Sequence, residues 1–189
     1  MIRFMICFIV IILPNVYSID NTFADWQTLI HGERTDTGNE CLNSVIIGVS
    51  SEADIYDAPP SPPPPDFYCN VVIMPPDFID PLNRDIRAEG DDVYRWIIGV
   101  NPKGNLGLPV DVTTKISWTA SDFSEGSAIL KEGYSGVGET IISDMNAISN
   151  FEVTGQNSNQ YFVIEYRPKK QKTYDLKDVI YLLQMLSKF

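Results

Sequence analysis

The sequence predicts a mainly β protein: an antiparallel β-sandwich with one C-terminal α-helix, preceded by a cleaved signal peptide. Three observations support this prediction. The N-terminus holds one short apolar run, and the middle of the chain alternates β-branched and aromatic runs with Gly, Pro, Asn and Asp. The last residues have the apolar spacing of a helix. The middle pattern is typical of a sandwich rather than of alternating strands and helices.

The first eighteen residues have the features of a secretory signal peptide. Arg3 supplies a positive start, residues 4–13 form an unbroken apolar run, and Pro14 ends that run before the small residues of a cleavage site. A transmembrane helix needs about 20 apolar residues, so this run is too short to span a bilayer. We expect cleavage after Ser18, a secreted or other extracytoplasmic location (periplasm or cell surface), and no stable membrane insertion afterwards. A short uncleaved anchor is the alternative.

Nine segments between residues 19 and 166 are predicted strands. They are 26–30, 42–49, 67–74, 93–100, 110–118, 128–130, 140–145, 150–154 and 160–166. In segment 110–118 most even positions are apolar and the odd positions are polar, which predicts one buried and one solvated face. Residues 94–100 and 161–166 are more continuously apolar, as expected of central strands covered on both faces.

Residues 58–65 contain six prolines, which exclude a helix and impose polyproline II. The preceding residues 26–57 offer about two strands, too few for an independent domain. We therefore interpret 58–65 as a rigid crossover between the two sheets of one β-sandwich domain, residues 19–166. An interdomain linker and a proline-rich ligand for a partner are the alternatives.

Charge and cysteine content restrict the partners. The net charge of −11 repels phosphate groups, so nucleic acid and anionic membranes are not expected partners. Two cysteines remain after signal cleavage, and in an exported protein Cys41 and Cys69 are expected to form a disulfide. The alternative is two reduced thiols in neighbouring strands. No zinc site is expected, because two cysteines and the distant His31 lack its ligand spacing.

Several segments resemble an immunoglobulin-like β-sandwich module of secreted and surface-displayed bacterial proteins. These segments are 47–57 with the prolines that follow, 83–87, 143–146 and 161–164. The similarity covers about residues 23–166. It implies an immunoglobulin-like sandwich with a structural or binding role in the cell envelope or outside the cell.

Residues 174–187 resemble the second half of a dockerin repeat, the calcium loop and helix that dock secreted bacterial proteins onto cohesin partners. With Asp175 and Asp178 at the ninth and twelfth loop positions, the first and third positions fall on Arg167 and Lys169. Cations at these positions oppose calcium binding. We therefore expect a calcium-independent helix, and the second repeat of a functional dockerin is missing from the sequence.

Residues 167–189 are predicted to be a basic linker and this amphipathic helix. Asp175 can cap the first turn. The apolar positions form one stripe and are candidate partner-binding residues: Leu176, Val179, Ile180, Leu183 and Leu186. The stripe either covers an open part of the sandwich or binds a protein partner. The basic run 167–172 could seat an acidic partner.

No segment carries a recognisable catalytic motif, so we predict a protein without enzyme activity, metal or cofactor. Residues 133–140 are glycine-rich, but Glu139 stands where a phosphate-binding loop has lysine, so a hairpin turn is expected there. His31 is the single histidine and accompanies no nucleophile motif. Three close carboxylates form either an acidic loop or a weak calcium site: Glu52, Asp54 and Asp57.

The expected function is a secreted or cell-envelope structural or interaction module that binds an extracytoplasmic protein partner. The alternative is a carbohydrate-binding module that takes a polysaccharide. That alternative requires a flat platform of exposed aromatic side chains, for which the candidates are Trp26, Tyr56, Tyr68 and Tyr134. Aromatic side chains that point into the core would disfavour it.

Overall fold

The computed structural model describes residues 26–51, 59–60, 69–77, 80–103, 111–123, 126–155, 158–169, 180–181 and 184–186. The chain divides into two compact units, one of residues 23–170 and one of residues 1–22 with 171–189. The strands of the described residues all lie in the first unit. The predicted signal peptide, residues 1–18, falls outside the described residues.

Ten strands form the described part of the first unit. They are β1 (Trp26–Arg34), β2 (Val45–Ser50), β3 (Asn70–Met74), β4 (Arg84–Ala88), β5 (Tyr94–Asn101), β6 (Val112–Ser117), β7 (Gly126–Glu132), β8 (Thr140–Ile142), β9 (Asn150–Gly155) and β10 (Gln160–Pro168). The first sheet has the order β4-β2-β1-β6-β9, and the second has the order β3-β5-β10-β7-β8. The predicted mainly β sandwich is therefore confirmed.

The pairing is antiparallel throughout except at one edge, where β2 and β4 run parallel from Ile46 opposite Arg84 to Ser50 opposite Ala88. The purely antiparallel prediction is wrong at this pair.

The nine predicted strands all have counterparts, but β4 was not predicted. Its sequence is rich in charge and has no alternating apolar face, which is acceptable at a sheet edge because a short charged strand resists pairing with another chain.

The two sheets bury their facing sides against each other in one core. In strand β6 the side chains alternate between the core and solvent: Val112, Thr114 and Ile116 are buried while Lys115 is exposed, as the alternation in the sequence predicts. Strands β5 and β10 are interior in the second sheet and supply many of the large buried side chains: Tyr94, Trp96, Ile98, Phe162, Ile164 and Tyr166.

A disulfide joins the two sheets. Cys41, in the β1–β2 connection, is bonded to Cys69, directly before β3, with the Cα atoms 4.5 Å apart. The predicted disulfide is confirmed. Gly32 faces it, and a Cβ on this glycine would lie 2.5 Å from the Cys41 Sγ, so the close approach requires glycine.

Because β2 and β3 belong to different sheets, the chain that contains 58–65 passes from one sheet to the other. Of that proline segment, only 59–60 are among the described residues.

Helical structure in the described residues is limited to a 3₁₀ turn at Ala120–Phe123 and to residues 180–181 and 184–186. Within the described ranges, no helix has the length and apolar character needed to cross a bilayer.

Candidate functional site

The outer face of the second sheet carries an apolar row across three strands. Strand pairing places Met74 of β3 opposite Ile97 of β5, and Ile97 opposite Val163 of β10. Val163 is only 1% exposed, and Ile97 is half-buried. Lys131 of β7 lies opposite Val163 and ends the row. A face that points away from the core thus carries three neighbouring apolar side chains.

The next row of this face holds a buried carboxylate surrounded by cations. Glu165 of β10 lies opposite Arg95 of β5, and its side chain is 2% exposed. The Nε of Arg95 donates a hydrogen bond to Glu165 Oε2 at 2.9 Å, and Lys131 Nζ donates to the same oxygen at 3.3 Å. Arg167 binds the other oxygen, Oε1, through two nitrogens, the closer at 2.6 Å.

These contacts decide the charge of the cluster. Burial raises the pKa of Glu165, but the hydrogen bonds from Arg167, Arg95 and Lys131 outweigh it and lower the pKa to about 2. Glu165 is therefore ionised at neutral pH. Three cations against one carboxylate leave two positive charges in excess, on a chain whose net charge is −11.

The glycine-rich connection between β7 and β8 lies over this face. Lys131 Nζ donates a hydrogen bond to the Gly136 carbonyl at 3.1 Å. A Cβ on Gly136 would lie 3.5 Å from Arg95 and 3.7 Å from Val163, so the backbone of the connection packs directly on the sheet. Gly136 has a φ of 74°, which favours glycine. The hairpin predicted for 133–140 is confirmed, since β7 and β8 pair antiparallel.

A cleft of about 210 Å³ opens beside this connection. The apolar row supplies Met74, Ile97 and Val163 to its lining. The β7–β8 connection supplies Tyr134 and Ser135, the segment after β3 supplies Pro76, and two strands supply cations: Arg87 and Arg95. The cleft therefore combines apolar surface with guanidinium groups.

The two arginines of the cleft differ in how they are held. Arg87 pairs with Asp85, with Nη2 to Oδ2 at 2.9 Å, and its guanidinium lies over the Trp96 ring at 5.2 Å. Its charge is thus locally compensated and its position is fixed. Arg95 uses Nε for Glu165, yet its side chain is 53% exposed. Part of the Arg95 guanidinium is accessible to a ligand.

Of the four aromatic candidates for a sugar platform, the structure describes Trp26 and Tyr134. Trp26 packs against Tyr166, Phe123 and Trp96, with ring centroids 4.4 to 5.7 Å away, so it belongs to the aromatic cluster at the core. This packing against the core disfavours Trp26 as a member of an exposed platform. Tyr134 is exposed, but its ring stands at 85° to that of Tyr161 rather than flat beside it. Tyr56 and Tyr68 lie outside the described residues.

The C-terminal candidates are only partly described. Ile180 and Leu186 are helical, and the role of their apolar stripe stays a prediction. Leu176, Val179 and Leu183 lie outside the described residues, as do the acidic residues Glu52, Asp54 and Asp57.

The single histidine, a candidate for catalysis or metal binding, lies away from the cleft. His31 Nδ1 is hydrogen-bonded to Ser44 Oγ at 3.0 Å, and neither residue lines the cleft. Among the described residues, no group of three or more His, Cys, Asp or Glu side chains is placed to hold a metal ion. Glu165 is engaged with three cations, an arrangement that stabilises its charged form and opposes a role as a proton donor.

No family model, curated protein or solved structure matches this chain. The site is therefore defined by its own residues. The sequence patterns above do not predict this site. One signal for it is present, since Glu165 lies inside the apolar run 161–166 and a carboxylate in a central strand requires charged partners.

Proposed function

We propose that this protein is an exported interaction module without catalytic activity, and that it binds an extracytoplasmic protein partner through the cleft on the second sheet. The observation that supports the proposal best is the combination of an apolar row with an accessible arginine on a face that points away from the core. Interface centres combine apolar surface with arginine and aromatic side chains in the same way.

Export is supported by two features. The signal-like N-terminus predicts it. The Cys41–Cys69 disulfide is consistent with an oxidising, extracytoplasmic compartment, because disulfides are rare in the reducing cytosol.

The size of the cleft favours a segment of a larger partner. Pockets for small molecules usually enclose about 300–1,000 Å³, and this cleft encloses about 210 Å³. It therefore suits one or two side chains of a chain that continues over the surrounding surface. The exposed Tyr134 at its edge adds contact area outside the cleft.

Polysaccharide binding is the alternative function. Of the two aromatic candidates within the described residues, Trp26 packs against the core and Tyr134 is exposed, and these two give no shared stacking surface. The protein-binding proposal needs no aromatic platform.

The proposal is tested by capture of proteins from the secreted and envelope fractions of the source organism. Wild-type protein should capture a discrete partner, and Ile97→Asp should reduce the captured amount at least tenfold because it places a charge in the apolar row. Leu29→Asp is the matched control, since Leu29 is exposed on the outer face of the first sheet. Tyr134→Ala is a second cleft variant at an exposed position, so a folding defect in Ile97→Asp does not end the test. Equal capture by both cleft variants and the control would refute the proposal.

A further inference from the structure

We propose that the cleft binds an extended peptide segment of the partner that carries an apolar side chain at one position and a carboxylate two residues away. The apolar side chain packs on the half-buried Ile97, and the carboxylate binds the exposed part of Arg95. This inference rests on the proposed function and specifies the partner's chemistry.

The spacing of the two contact points supports an extended ligand. Ile97 and Arg95 are two residues apart on β5 and project from the same face. A strand rises about 3.4 Å per residue, so the two side chains start about 7 Å apart along the strand. An extended peptide that lies along β5 presents side chains i and i+2 on one face at the same interval. Adjacent positions would point to opposite faces.

Charge complementarity supports a carboxylate. The cluster around Glu165 has two positive charges in excess, whereas Arg87 is already compensated by Asp85. A guanidinium has five N–H donors, and the Nε of Arg95 is the one used for Glu165. The remaining donors match the two oxygens of a carboxylate, which arginine binds in a planar, bidentate manner.

The apolar part of the lining favours a peptide over an acidic polysaccharide. Met74, Ile97 and Val163 offer no side-chain hydrogen-bond donor or strong acceptor. A sugar ring placed there would lose hydrogen bonds from its hydroxyl groups to water without replacement. An aliphatic or aromatic peptide side chain gains from the same contact, because it removes apolar area from water.

The test is a titration of the ¹⁵N-labelled protein, followed by NMR, with the capped peptide Gly-Ser-Leu-Ser-Glu-Ser-Gly. We expect shifts of the amides of Ile97, Gly136 and Val163, and not of Leu29. Exchange of glutamate for glutamine in the peptide should weaken binding about tenfold, the loss expected for one charge-assisted bond. Exchange of leucine for serine should weaken it by about the same factor, because it removes the apolar contact with Ile97. A peptide with leucine and glutamate adjacent should bind as weakly as these two.

Matched variants of the protein test the same contact. Arg95→Gln should weaken binding of the peptide about tenfold and leave Glu165 with Lys131 and Arg167. Lys115→Gln removes one positive charge from the exposed outer side of β6 and should leave binding unchanged. If Arg95→Gln does not fold, Tyr134→Ala should still weaken binding while the peptide's preference for glutamate over glutamine persists.

The outcomes separate this inference from the proposed function. If the peptide shifts no cleft amide while Ile97→Asp still abolishes capture of the partner, the ligand chemistry is wrong and the binding face stands. If neither the peptide nor a captured protein depends on the cleft, both are wrong. Tighter binding of polygalacturonate than of the peptide, with shifts of the same amides, would overturn the peptide in favour of an acidic polysaccharide.

Discussion

The two outer faces of the sandwich are built differently. On the first sheet, Leu29 is 51% exposed, Lys115 is exposed, and the Thr113 and Thr154 hydroxyl groups bond to each other at 2.7 Å. This is an ordinary solvated face with scattered apolar side chains. On the second sheet, an apolar row adjoins a buried, charged cluster, and the β7–β8 connection packs on both.

This difference supports the proposal that the second sheet carries the binding face. A solvated sheet face keeps its polar side chains in water and needs no fixed geometry. On the second sheet the Glu165 carboxylate is instead removed from water. This costs free energy, which its ion pairs with three cations offset. The same contacts hold Arg95 beside the apolar row, so its side chain is already positioned for the proposed ligand.

The strongest test of the contrast is a charge placed on each face. Val163→Asp puts a carboxylate at a position that is 1% exposed, and we expect the free energy of unfolding to fall by about 4 kcal/mol. Leu29→Asp should change it by less than about 0.5 kcal/mol, since its side chain is largely in water. Chemical denaturation of both variants gives the comparison, and equal losses would mean that the two faces are equally solvated.

The disulfide should support both faces alike, because it joins the β1–β2 connection of the first sheet to the start of β3 in the second. Its partners are 28 residues apart, and in the chain-entropy model such a loop stabilises the fold by about 3.5 kcal/mol. The Cys41→Ala/Cys69→Ala variant should lose this amount in chemical denaturation and still protect both outer faces from hydrogen exchange. Selective loss of protection on one face would show that the bond serves that face alone.

The pH dependence of stability tests the charged cluster. The pKa of Glu165 is about 2 in the folded protein, whereas the ordinary value of a glutamate, expected in the unfolded chain, is near 4.5. A lowered pKa stabilises the fold above the unfolded value, and this contribution is lost as the pH falls from about 4.5 towards 2. Its size is about 1–2 kcal/mol, because water screens the half-exposed Arg95 and Arg167. Glu165→Gln should lack this pH-dependent part of the free energy of unfolding. If the variant and the wild type lose stability equally between pH 6 and 2.5, the proposed role of the cluster is contradicted.

Much of the sandwich was readable from local sequence. The alternation in β6 predicted its buried and solvated sides, and the apolar runs in β5 and β10 predicted their interior positions. Strand β4 was missed because Arg84, Asp85 and Arg87 leave no apolar alternation. Its place depends on pairing with β2, which a local pattern does not encode.

The cleft could not be read from sequence because it depends on register between distant strands. Arg95 and Glu165 are 70 residues apart, and a slip of one residue would turn one of them towards the core. The apolar run 161–166 correctly indicated cover on a second face, but not that residues 133–138 provide part of it. The immunoglobulin-like and dockerin-like resemblances stay predictions.

The central claim, that the second sheet carries the binding face, is tested most directly by crosslinking at one position on each face. A photoreactive phenylalanine analogue is placed at Tyr134 or at Leu29, both of which are exposed, and the protein is irradiated in the source organism. We predict one discrete crosslinked protein from position 134 and none from position 29. A crosslinked partner from position 29, with none from 134, would contradict the account.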